Sequence, residues 1–485
     1  MNITELKPSA IWGYFHQITQ VPRPSKKEEK ILAFLKKFAE EHKLEYDQDA
    51  AGNIVIRKPA SKGYENRKTV ILQSHVDMVC EKNNDTIHDF DNDPIRTIID
   101  GDWVRADGTT LGADNGIGVA AEMAVLTDDT LEHGPIECLF TVDEETGLTG
   151  AMNLAPGFVK GTILLNLDSE DEGEMFIGCA GGMGTMAYYK YSQEKAPQDY
   201  YYATIKVSGL KGGHSGGDIH VGLGAATKII TRALYAVREK MPMVLAHIDG
   251  GNLHNAIARE ATAVIGVPMN QKEALSVIIN ELDGDVRQEL KAVDPSVKIT
   301  VNTADAPAHV VDADTTRRLI LGLYSCPHGV MGMSHSIEGL VETSTNLASI
   351  KMKEEGVIRV ETSQRSSSES LKTDVGNMVK AVFELSGAEV EVRDGYPGWS
   401  PNTDSPILKV TVDAYKKLFG KEPAVKAIHA GLECGLFLSK YPYLDMVSFG
   451  PTLRDVHSPV EKMEIATVDL FWRHLVEVLK NIPEA

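Results

Sequence analysis

Short apolar runs alternate with amphipathic stretches through about the first 170 residues. The apolar runs are rich in leucine and β-branched residues and predict strands over NIVIRK, TVILQSH, PIECLFTV and TILLNLD. The amphipathic stretches predict helices over GIGVAAEMAVL and over EEKILAFLKKFAEEH, which we expect a capping box of Ser25 and Glu28 to open. This alternation predicts an α/β fold in which helices cover both faces of a sheet.

Between about residues 187 and 395 the pattern changes to that of an α+β layer. Strands are predicted over YYATIKVSG, ATAVIGVPM and VKITVNTA, and a hairpin with a polar turn over NLASIKMKEEGVIRVETSQRSSS. Helices are predicted over GLGAATKIITRALYAVREK and SESLKTDVGNMVKAVFELSG. We expect this block to form a separate domain.

Acidic and imidazole side chains follow strand-like runs outside that block, at His75, Asp114, Glu145, Asp168 and His457. Open α/β sheets place their sites at the carboxyl ends of strands, which would bring these distant residues together. Two first-row metal ions that share one carboxylate need a bridging aspartate and about two further ligands each, with nitrogen and oxygen mixed. Two imidazoles and three carboxylates meet that need. The sequence therefore predicts a two-metal hydrolase.

The position of His457 sets the domain organisation, because it follows the α+β block whereas the other candidate ligands precede it. The sheet domain must therefore consist of two pieces of chain with another domain inserted between them. We place the two pieces at 1–186 and 396–485 and the inserted domain at 187–395.

Neighbouring residues support this chemistry, although each motif alone has a simpler explanation. His75 and Asp77 are two apart on a strand and share a face, so the carboxylate can fix the imidazole's tautomer; a polar strand edge is the alternative. Glycines around Asp114 allow a tight turn, and a plain helix cap is its alternative. The side chains of neighbouring residues in a strand point in opposite directions, so Glu144 and Glu145 are expected to lie in a loop. Glu145 could then bind metal while Glu144 lies beside metal-bound water as general base. A solvated acidic turn is the alternative there.

The ordered set HVD, GADNG, DEETG, NLD and a late HSP resembles the di-zinc peptidase and deacylase superfamily that includes carboxypeptidase G, aminoacylase and carnosinase. Within it, EKNNDTIHDF, KGGHSGG, YPGW and HAGLECGLF are similar to segments of the bacterial aminoacyl-histidine (Xaa-His) dipeptidases. The similarity runs from about residue 8 to the C-terminus. It implies a di-metal peptidase catalytic domain, a mixed sheet covered by helices, that is interrupted by an inserted α+β lid domain.

The resemblance also implies a role for each candidate ligand. Asp114 bridges two metal ions, His75 and Asp168 complete the shell of one ion, and Glu145 and His457 complete the other. Asp77 supports the ligand histidine and Glu144 is the general base. Zinc suits such a ligand set, with manganese and cobalt as alternatives.

In the lid, the resemblance implies that His214 stabilises the oxyanion, either within its own chain or across a dimer interface. Arg365 is implied to clamp the substrate's carboxylate, a role that suits a bidentate guanidinium, and Asn255 to contact the substrate. Beyond the lid, Glu433 is a candidate for holding the free amino end. A loop histidine, a surface salt bridge and a turn asparagine are the respective alternatives within the lid. A homodimer is expected from the resemblance alone.

Composition narrows the function classes. A hydrophobic content of 42% and a charged content of 24% are typical of soluble globular proteins, and 485 residues are expected to form more than one core. A net charge of −20 argues against nucleic acid and anionic membranes as partners. Five scattered cysteines without a CxxC pair, together with the lack of an apparent export signal or membrane span, predict a cytoplasmic protein.

The leading hypothesis is metal-dependent hydrolysis of unblocked dipeptides, notably Xaa-His. An N-acyl amino acid deacylase and a tripeptidase are alternatives on the same scaffold. A non-catalytic peptide-binding protein is expected to lack the base or a ligand, and both are present here. The glycines of GCAGGMG fit neither a Walker A loop nor GxGxxG, and the His-Ser pairs lack a GxSxG elbow. Nucleotide binding and serine hydrolysis are therefore disfavoured.

Overall fold

The computed structural model describes residues 2–354 and 356–485. The chain divides into two compact units, the first formed by Met1–Gly178, Pro401–Ala427 and Leu432–Ala485, and the second by Cys179–Ser400 and Ile428–Gly431. These bounds differ from the predicted insert of 187–395 because residue 187 falls inside a strand, Gly181–Lys190, whose pairing partners belong to the second unit. The second unit therefore begins earlier than the change in sequence pattern.

The α-helices are α1 Ser9–Thr19, α2 Glu29–Glu41, α3 Ala113–Thr127, α4 Glu144–Gly147, α5 Thr149–Met152, α6 Ala226–Lys240, α7 Lys272–Glu289, α8 Ala313–Ser325, α9 Glu369–Leu385, α10 Pro406–Phe419, α11 Glu433–Lys440 and α12 Ile465–Lys480. Short 3-10 helices lie at Ile3–Glu5, Ile219–Val221 and Met269–Gln271. No helix in the described ranges is both long and apolar enough to cross a bilayer.

The strands as far as the second unit's first helix are β1 Glu45–Gln48, β2 Ile54–Lys58, β3 Val70–His75, β4 Thr97–Asp100, β5 Trp103–Ala106, β6 Ile136–Thr141, β7 Ile163–Asn166, β8 Glu174–Cys179, β9 Gly181–Lys190, β10 Gln193–Lys195, β11 Tyr200–Ser208 and β12 Gly213–His214. The remaining strands are β13 Val244–Gly250, β14 Ala256–Ile257, β15 Ala261–Pro268, β16 Lys298–Thr303, β17 His309–Val311, β18 Gly329–Met333, β19 Val341–Glu354, β20 Val357–Ser366, β21 Glu389–Tyr396, β22 Ala424–Ile428, β23 Asp445–Ser448, β24 Leu453–Arg454 and β25 Lys462–Glu464.

The first unit is built on an eight-stranded mixed sheet in the order β1-β2-β6-β3-β7-β23-β8-β22. The central neighbours β6, β3, β7 and β23 run parallel to one another. Strands β3, β6 and β7 are buried along their whole length, as expected for parallel strands covered on both faces, and they match the predicted apolar runs. The carboxyl ends of the four parallel strands therefore meet at one edge of the sheet.

The start of α2 differs from the sequence prediction. The helix begins at Glu29, and its preceding residue, Glu28, makes no side-chain cap. Ser25 instead donates to Oδ2 of Asp77 at 2.7 Å, while Oε1 of Glu28 accepts from the backbone N–H groups of Lys26 and Asp143. The predicted capping box is therefore wrong, because contacts distant in sequence engage both of its side chains.

The first unit also contains a four-stranded sheet in the order β24-β25-β5-β4, in which β24 and β25 come from the C-terminal part of the chain. Strands β24 and β25 form an antiparallel hairpin, with Leu453 opposite Met463, and the loop between them carries His457. Asp455 and His457 adopt left-handed backbone conformations with φ of 56° and 60°, which turn this loop tightly.

The second unit contains a larger sheet along the path β16-β11-β15-β13-β19-β20-β9-β21, with β10, β17 and β18 joined to it. Helices α6 to α9 bury their apolar faces against the sheet in one core that includes Leu234, Ile279, Ile320 and Phe383. The predicted hairpin corresponds to β19 and β20, which pair antiparallel. Its polar turn includes Glu355, which lies outside the described residues. A two-stranded sheet pairs β12 with β14.

Candidate metal centre

His75, the last residue of β3, lies at the centre of one group of ligand atoms. Its Nε2 is 3.0 Å from Oδ1 of Asp114 and 3.5 Å from Oδ1 of Asp168. Asp168 follows β7, the parallel neighbour of β3, so the sheet itself brings these two side chains together. Asp114 comes from the start of α3, where its backbone is extended rather than helical.

His457 lies at the centre of a second group. Its Nε2 is 3.1 Å from Oδ2 of Asp114 and 3.0 Å from Oε2 of Glu145. The two carboxylate oxygens of Asp114 therefore point to different histidines. Single ligand atoms of His75, Asp114 and Glu145 also lie within 4.8 Å of one another, so the two groups adjoin. We divide the residues into two sets because the contacts within each set are shorter.

The electrostatics of the cluster fit a pair of cations. Burial alone would lower the pKa of His75, but the charge of Asp168 and hydrogen bonds to Asp114 and Asp168 raise it well above its usual value. Hydrogen bonds to Asp114 and Glu145 raise the pKa of His457 to about 11. Oε1 of Glu145 is buried without a hydrogen-bond partner in the described chain. The acids of the cluster thus favour a positive charge at both imidazoles, as metal ions would supply, and one carboxylate oxygen stays without a partner among the described residues.

Asp77 is buried behind this cluster and holds two of its parts. Its Oδ1 is 3.5 Å from Nδ1 of His75, and its backbone oxygen is 3.2 Å from the same nitrogen. Its two carboxylate oxygens also accept the backbone N–H groups of Glu144 at 3.0 Å and Glu145 at 3.2 Å. Asp77 therefore fixes the imidazole and also the loop that presents both glutamates.

The adjacent glutamates lie in the short helix α4 rather than in the predicted loop, and their carboxylates have different surroundings. Glu145 contacts His457, whereas no hydrogen bond or ion pair engages the Glu144 carboxylate in the described residues. Burial raises the pKa of Glu144, the charge of His75 opposes that shift, and the charge of Asp168 adds to it. Glu144 is thus a carboxylate without a protein partner beside the two ligand sets.

A second group of acids, Glu28, Asp77 and Asp143, also has ligand atoms within 4.8 Å of one another. Each of these carboxylates already accepts hydrogen bonds from the protein. Asp143 accepts from the hydroxyls of Thr146 and Thr149, and Glu28 accepts from the backbone of Lys26. Since protein donors occupy these carboxylates, the group holds the loop after β6 in place and offers little to a metal ion.

Glu433 begins α11 and is almost fully buried. Its Oε2 accepts from Nε2 of Gln73 at 2.6 Å and from the hydroxyl of Thr141 at 2.9 Å. Its Oε1 has no partner among the described residues, and burial raises the pKa of this carboxyl to about 8. One oxygen of a buried carboxylate is therefore available to a donor from outside the chain.

The remaining predicted residues belong to the second unit, where His214 and Arg365 are neighbours. Nδ1 of His214 accepts the backbone N–H groups of Gly216 at 3.3 Å and Gly217 at 3.0 Å. In the neutral ring the proton must therefore lie on Nε2, which is 3.5 Å from Nη2 of Arg365. Burial and then the positive charge of Arg365 lower the pKa of His214, so its ring is neutral at pH 7. Asn255 is close to it through its backbone oxygen, which accepts from Ser215 at 2.8 Å.

Arg365 is a buried cation that has no acidic partner among residues 2–354 and 356–485. It is 7% exposed, its Nη1 donates to the hydroxyl of Tyr396 at 2.8 Å, and its Nε has no partner in the described chain. Burial and then the charge of Arg365 lower the pKa of His429 to about 3, and that ring contacts the hydroxyl of Ser344 at 2.7 Å. An isolated buried charge is costly, so the donors of Arg365 favour an anion from outside the chain.

Sequence reasoning assigned no role to Tyr396 or His429. Both lie in segments quoted for the family resemblance, YPGW and HAGLECGLF, so a signal was present. Neither residue has a spacing that points to chemistry by itself. Their contacts with Arg365 and Ser344 become visible only in the fold.

The chain is similar to several known proteins. A family model described as Peptidase family M20/M25/M40 matches residues 71–481. The chain is 42% identical to the cytosol non-specific dipeptidase of Escherichia coli over 482 residues, which cover 99% of both chains. The crystal structure of aminoacylhistidine dipeptidase from Vibrio alginolyticus matches with a TM-score of 0.93 and 44% identity, covering 100% of this chain and 99% of that one. Aminopeptidase PepT from Bacillus cereus shares the fold at 17% identity, with a TM-score of 0.58 over 98% of this chain and 99% of that one.

Proposed function

Since the chain belongs to peptidase family M20/M25/M40, we propose that it is a metal-dependent dipeptidase that hydrolyses unblocked dipeptides, notably Xaa-His. One observation carries the proposal: the two oxygens of Asp114 face two different ligand histidines, while Glu144 stands beside them without a partner. The names of the two relatives that are more than 40% identical, both dipeptidases, support the substrate class.

Two divalent ions, for which we propose zinc with manganese or cobalt as alternatives, would activate a water molecule and polarise the substrate's carbonyl. His75 and Asp168 would hold one ion and His457 and Glu145 the other, with Asp114 shared. Asp77 keeps the ring of His75 in place.

Glu144 is the general base in this proposal. Its carboxylate takes the proton of the attacking water and delivers it to the leaving amine. Support comes from the hydrogen bond that fixes its backbone N–H on Asp77 while its side chain stays without a protein partner. Its neighbour Glu145 is engaged with His457 and cannot serve the same role.

We assign the second unit's residues to substrate contacts. His214 donates its Nε2 proton to the developing oxyanion, because its Nδ1 is already an acceptor of two backbone N–H groups. Arg365 binds the free carboxylate of the dipeptide, since its donors lack an acidic partner. Asn255 supplies a further contact. In the first unit, the spare oxygen of Glu433 accepts from the dipeptide's free ammonium group.

The test uses chelator-stripped protein with Ala-His, N-acetyl-Ala-His and Ala-Ala-His as substrates, before and after addition of zinc or manganese. We expect metal-restored release of histidine from Ala-His alone, because the blocked peptide lacks the ammonium group that Glu433 would bind. Faster cleavage of the acetylated peptide would identify a deacylase, and preference for the longer peptide would identify a tripeptidase. Metal binding without cleavage of any of them would contradict the enzyme proposal.

We extend the proposal to a homodimer in the cytoplasm; the relative's description as a cytosol dipeptidase supports the location, and the homodimer is expected from the family resemblance. Mixing two inactive variants, His214→Gln and Glu144→Gln, tests whether the histidine acts in a partner chain. Restored activity in the mixture is expected if one subunit supplies His214 to the other. Mixtures that exchange subunits and remain inactive would place all the catalytic residues in one chain.

A further inference from the structure

Glu461 is a buried acid, 2% exposed, whose carboxylate accepts hydrogen bonds from the backbone of residues 111–114, here called the Asp114 loop. Its Oε2 accepts the N–H groups of Leu111 at 2.7 Å and Gly112 at 3.0 Å. Its Oε1 accepts those of Ala113 at 2.8 Å and Asp114 at 3.4 Å. A single carboxylate thus receives four successive backbone donors that end at the shared metal ligand.

Glu461 also belongs to the loop between β24 and β25, which carries His457. It follows His457 by four positions, and its own N–H donates to the backbone oxygen of Ser458 at 3.0 Å. The hydroxyl of Ser458 in turn donates to the backbone oxygen of Asp455 at 2.6 Å. The Glu461 side chain therefore joins the turn around His457 directly to the backbone of Asp114. These two residues are 343 positions apart in the chain, yet their ligand atoms are 3.1 Å apart.

Arg23 holds the same loop through its carbonyl groups. Its Nη2 donates to the backbone oxygen of Gly112, and its Nη1 donates to the backbone oxygens of Val76 and Asp77, both at 2.9 Å. Arg23 is 2% exposed, like Glu461. It therefore links the segment after His75 to the loop that ends at Asp114.

The Asp114 loop has little conformational freedom because Glu461 binds its N–H groups and Arg23 binds the backbone oxygen of Gly112. Gly112 has a left-handed φ of 66°, and a Cβ there would lie 2.5 Å from Nη2 of Arg23. The hydrogen bonds of the first three N–H groups are buried and that of Asp114 is partly buried, and a buried donor without an acceptor costs about 1–3 kcal/mol. The position of the Asp114 carboxylate is therefore coupled to the hydrogen bonds of Glu461 and Arg23.

We infer that Glu461, assisted by Arg23, is a positioning residue that sets the separation of the two ligand sets by holding the backbone of Asp114 between them. The hydrogen bonds of both side chains go to backbone atoms rather than to the ligand side chains. Both act through the backbone that carries the ligands, as partners of metal ligands commonly do. The inference rests on the proposed two-metal site.

The test is metal binding by Glu461→Gln, measured by chelator competition and by the rise in melting temperature that zinc produces. The amide keeps the shape but turns an N–H₂ group toward backbone donors, so two of the four acceptor positions are lost. We expect affinity for at least one of the two ions to fall about 10- to 100-fold, the usual effect of changing a partner of a metal ligand. The zinc-induced rise in melting temperature should shrink with it.

The control is Glu464→Gln, the same chemical change three residues further along the segment, which should bind metal like the wild type. A Glu461→Gln protein that melts at a lower temperature without metal, yet keeps both metal affinities and the full zinc-induced rise, would show a merely structural role and overturn the inference. If Glu461→Gln does not fold, Arg23→Lys replaces it, because the ammonium keeps the charge but loses the planar fork. Unchanged metal affinities in that variant would overturn the inference as well.

The wild-type protein separates this inference from the proposed function. Wild-type protein that binds no metal would remove the proposed site. Wild-type protein that binds two ions without cleaving dipeptides would remove only the proposed activity, and the comparison of affinities between wild type and variants would still decide the role of Glu461.

Discussion

The two units bury charge in opposite ways. In the first unit, Asp114, Glu145 and Asp168 converge on two imidazoles, and these acids raise the pKa of both rings. In the second unit, Arg365 lies beside His214 and pairs with no acid of the described chain, and burial together with its charge lowers the pKa of that ring. One cluster has excess negative charge and the other excess positive charge.

Two other cations with largely buried side chains have acidic partners, whereas the buried Arg23 donates to three backbone oxygens. Arg57 pairs with Glu137 at 3.2 Å, and Lys351 pairs with Asp249 at 2.9 Å. Oε1 of Glu145 and Nε of Arg365 are buried without a partner among the described residues, and because a buried charge without its full set of partners is costly, these atoms indicate ligands of opposite sign. The contrast between the units therefore predicts cations at the first cluster and an anionic group at the second.

The largest expected effect comes from removing the shared acid. Asp114→Asn should lose at least one metal ion and lower kcat/KM by at least about 10³-fold, because an amide supplies only one neutral oxygen where two charged ones face two ligand sets. Metal analysis and Ala-His hydrolysis check this. Asp171→Asn, in the loop after Asp168, is the matched control and should behave like the wild type. Two bound ions in Asp114→Asn would remove the negative cluster from the comparison.

The adjacent glutamates allow a sharper test within the first unit. Glu145→Gln should weaken metal binding, because this carboxylate contacts His457. Glu144→Gln should keep both ions and lose about 10²- to 10⁴-fold in kcat, the range typical of a general base. Metal affinity and kcat are measured for both variants. The reverse pattern, with metal lost only in Glu144→Gln, would exchange the two roles.

Sequence reasoning reached the first cluster because parallel strands impose a rule. His75, Glu145 and Asp168 each follow a predicted strand, and the strands align at their carboxyl ends. Asp114 and His457 were also predicted to follow strands, but Asp114 lies at the start of α3 and His457 lies in the loop between β24 and β25, so neither follows a parallel strand. The order of the ligands was thus predictable from the sequence, whereas their distances were not.

Residues that act through distant contacts were not predictable. Ser25 carries a local cap signal, but its hydroxyl donates to Asp77, 52 positions away. Arg23 and Glu461 lie in no periodic pattern, and only the fold shows that both bind the Asp114 loop. Local patterns therefore predicted many of the helices and strands. They did not predict hydrogen bonds between polar side chains and residues far away in the sequence.

A smaller effect is expected at the positive cluster. Arg365→Met should raise KM for Ala-His about 10- to 100-fold, since a hydrogen bond to a charged group contributes about 1.5–3 kcal/mol. The same variant should change KM for the amidated dipeptide much less, because that substrate lacks the carboxylate. Arg359→Met, six residues earlier on β20, is the control and should leave both values unchanged. Equal losses on both substrates would mean that the buried guanidinium supports structure and binds no anion.

The smallest effect is expected on the pH dependence of stability, and it concerns His474, which belongs to neither cluster. His474 is 3% exposed, contacts the backbone oxygen of Thr411 at 2.9 Å, and packs on the rings of Tyr415 and Phe449. Burial lowers its pKa from 6.5 to about 4, so between these values the unfolded chain binds a proton that the folded protein does not. Stability must then fall as the pH falls, by roughly 2 kcal/mol between pH 6.5 and about pH 5.

His474→Gln should remove this part of the acid sensitivity, although it lowers stability at every pH. The measurement is urea unfolding of metal-free wild type and variant at both pH values, and the expected result is a smaller loss of unfolding free energy in the variant. Carboxylates and the other histidines contribute equally to both proteins, so the difference isolates one imidazole. Equal losses would mean that His474 is protonated in the folded protein. Burial would then not lower the pKa of His474, in contrast to the effect expected for a ring packed against Tyr415 and Phe449.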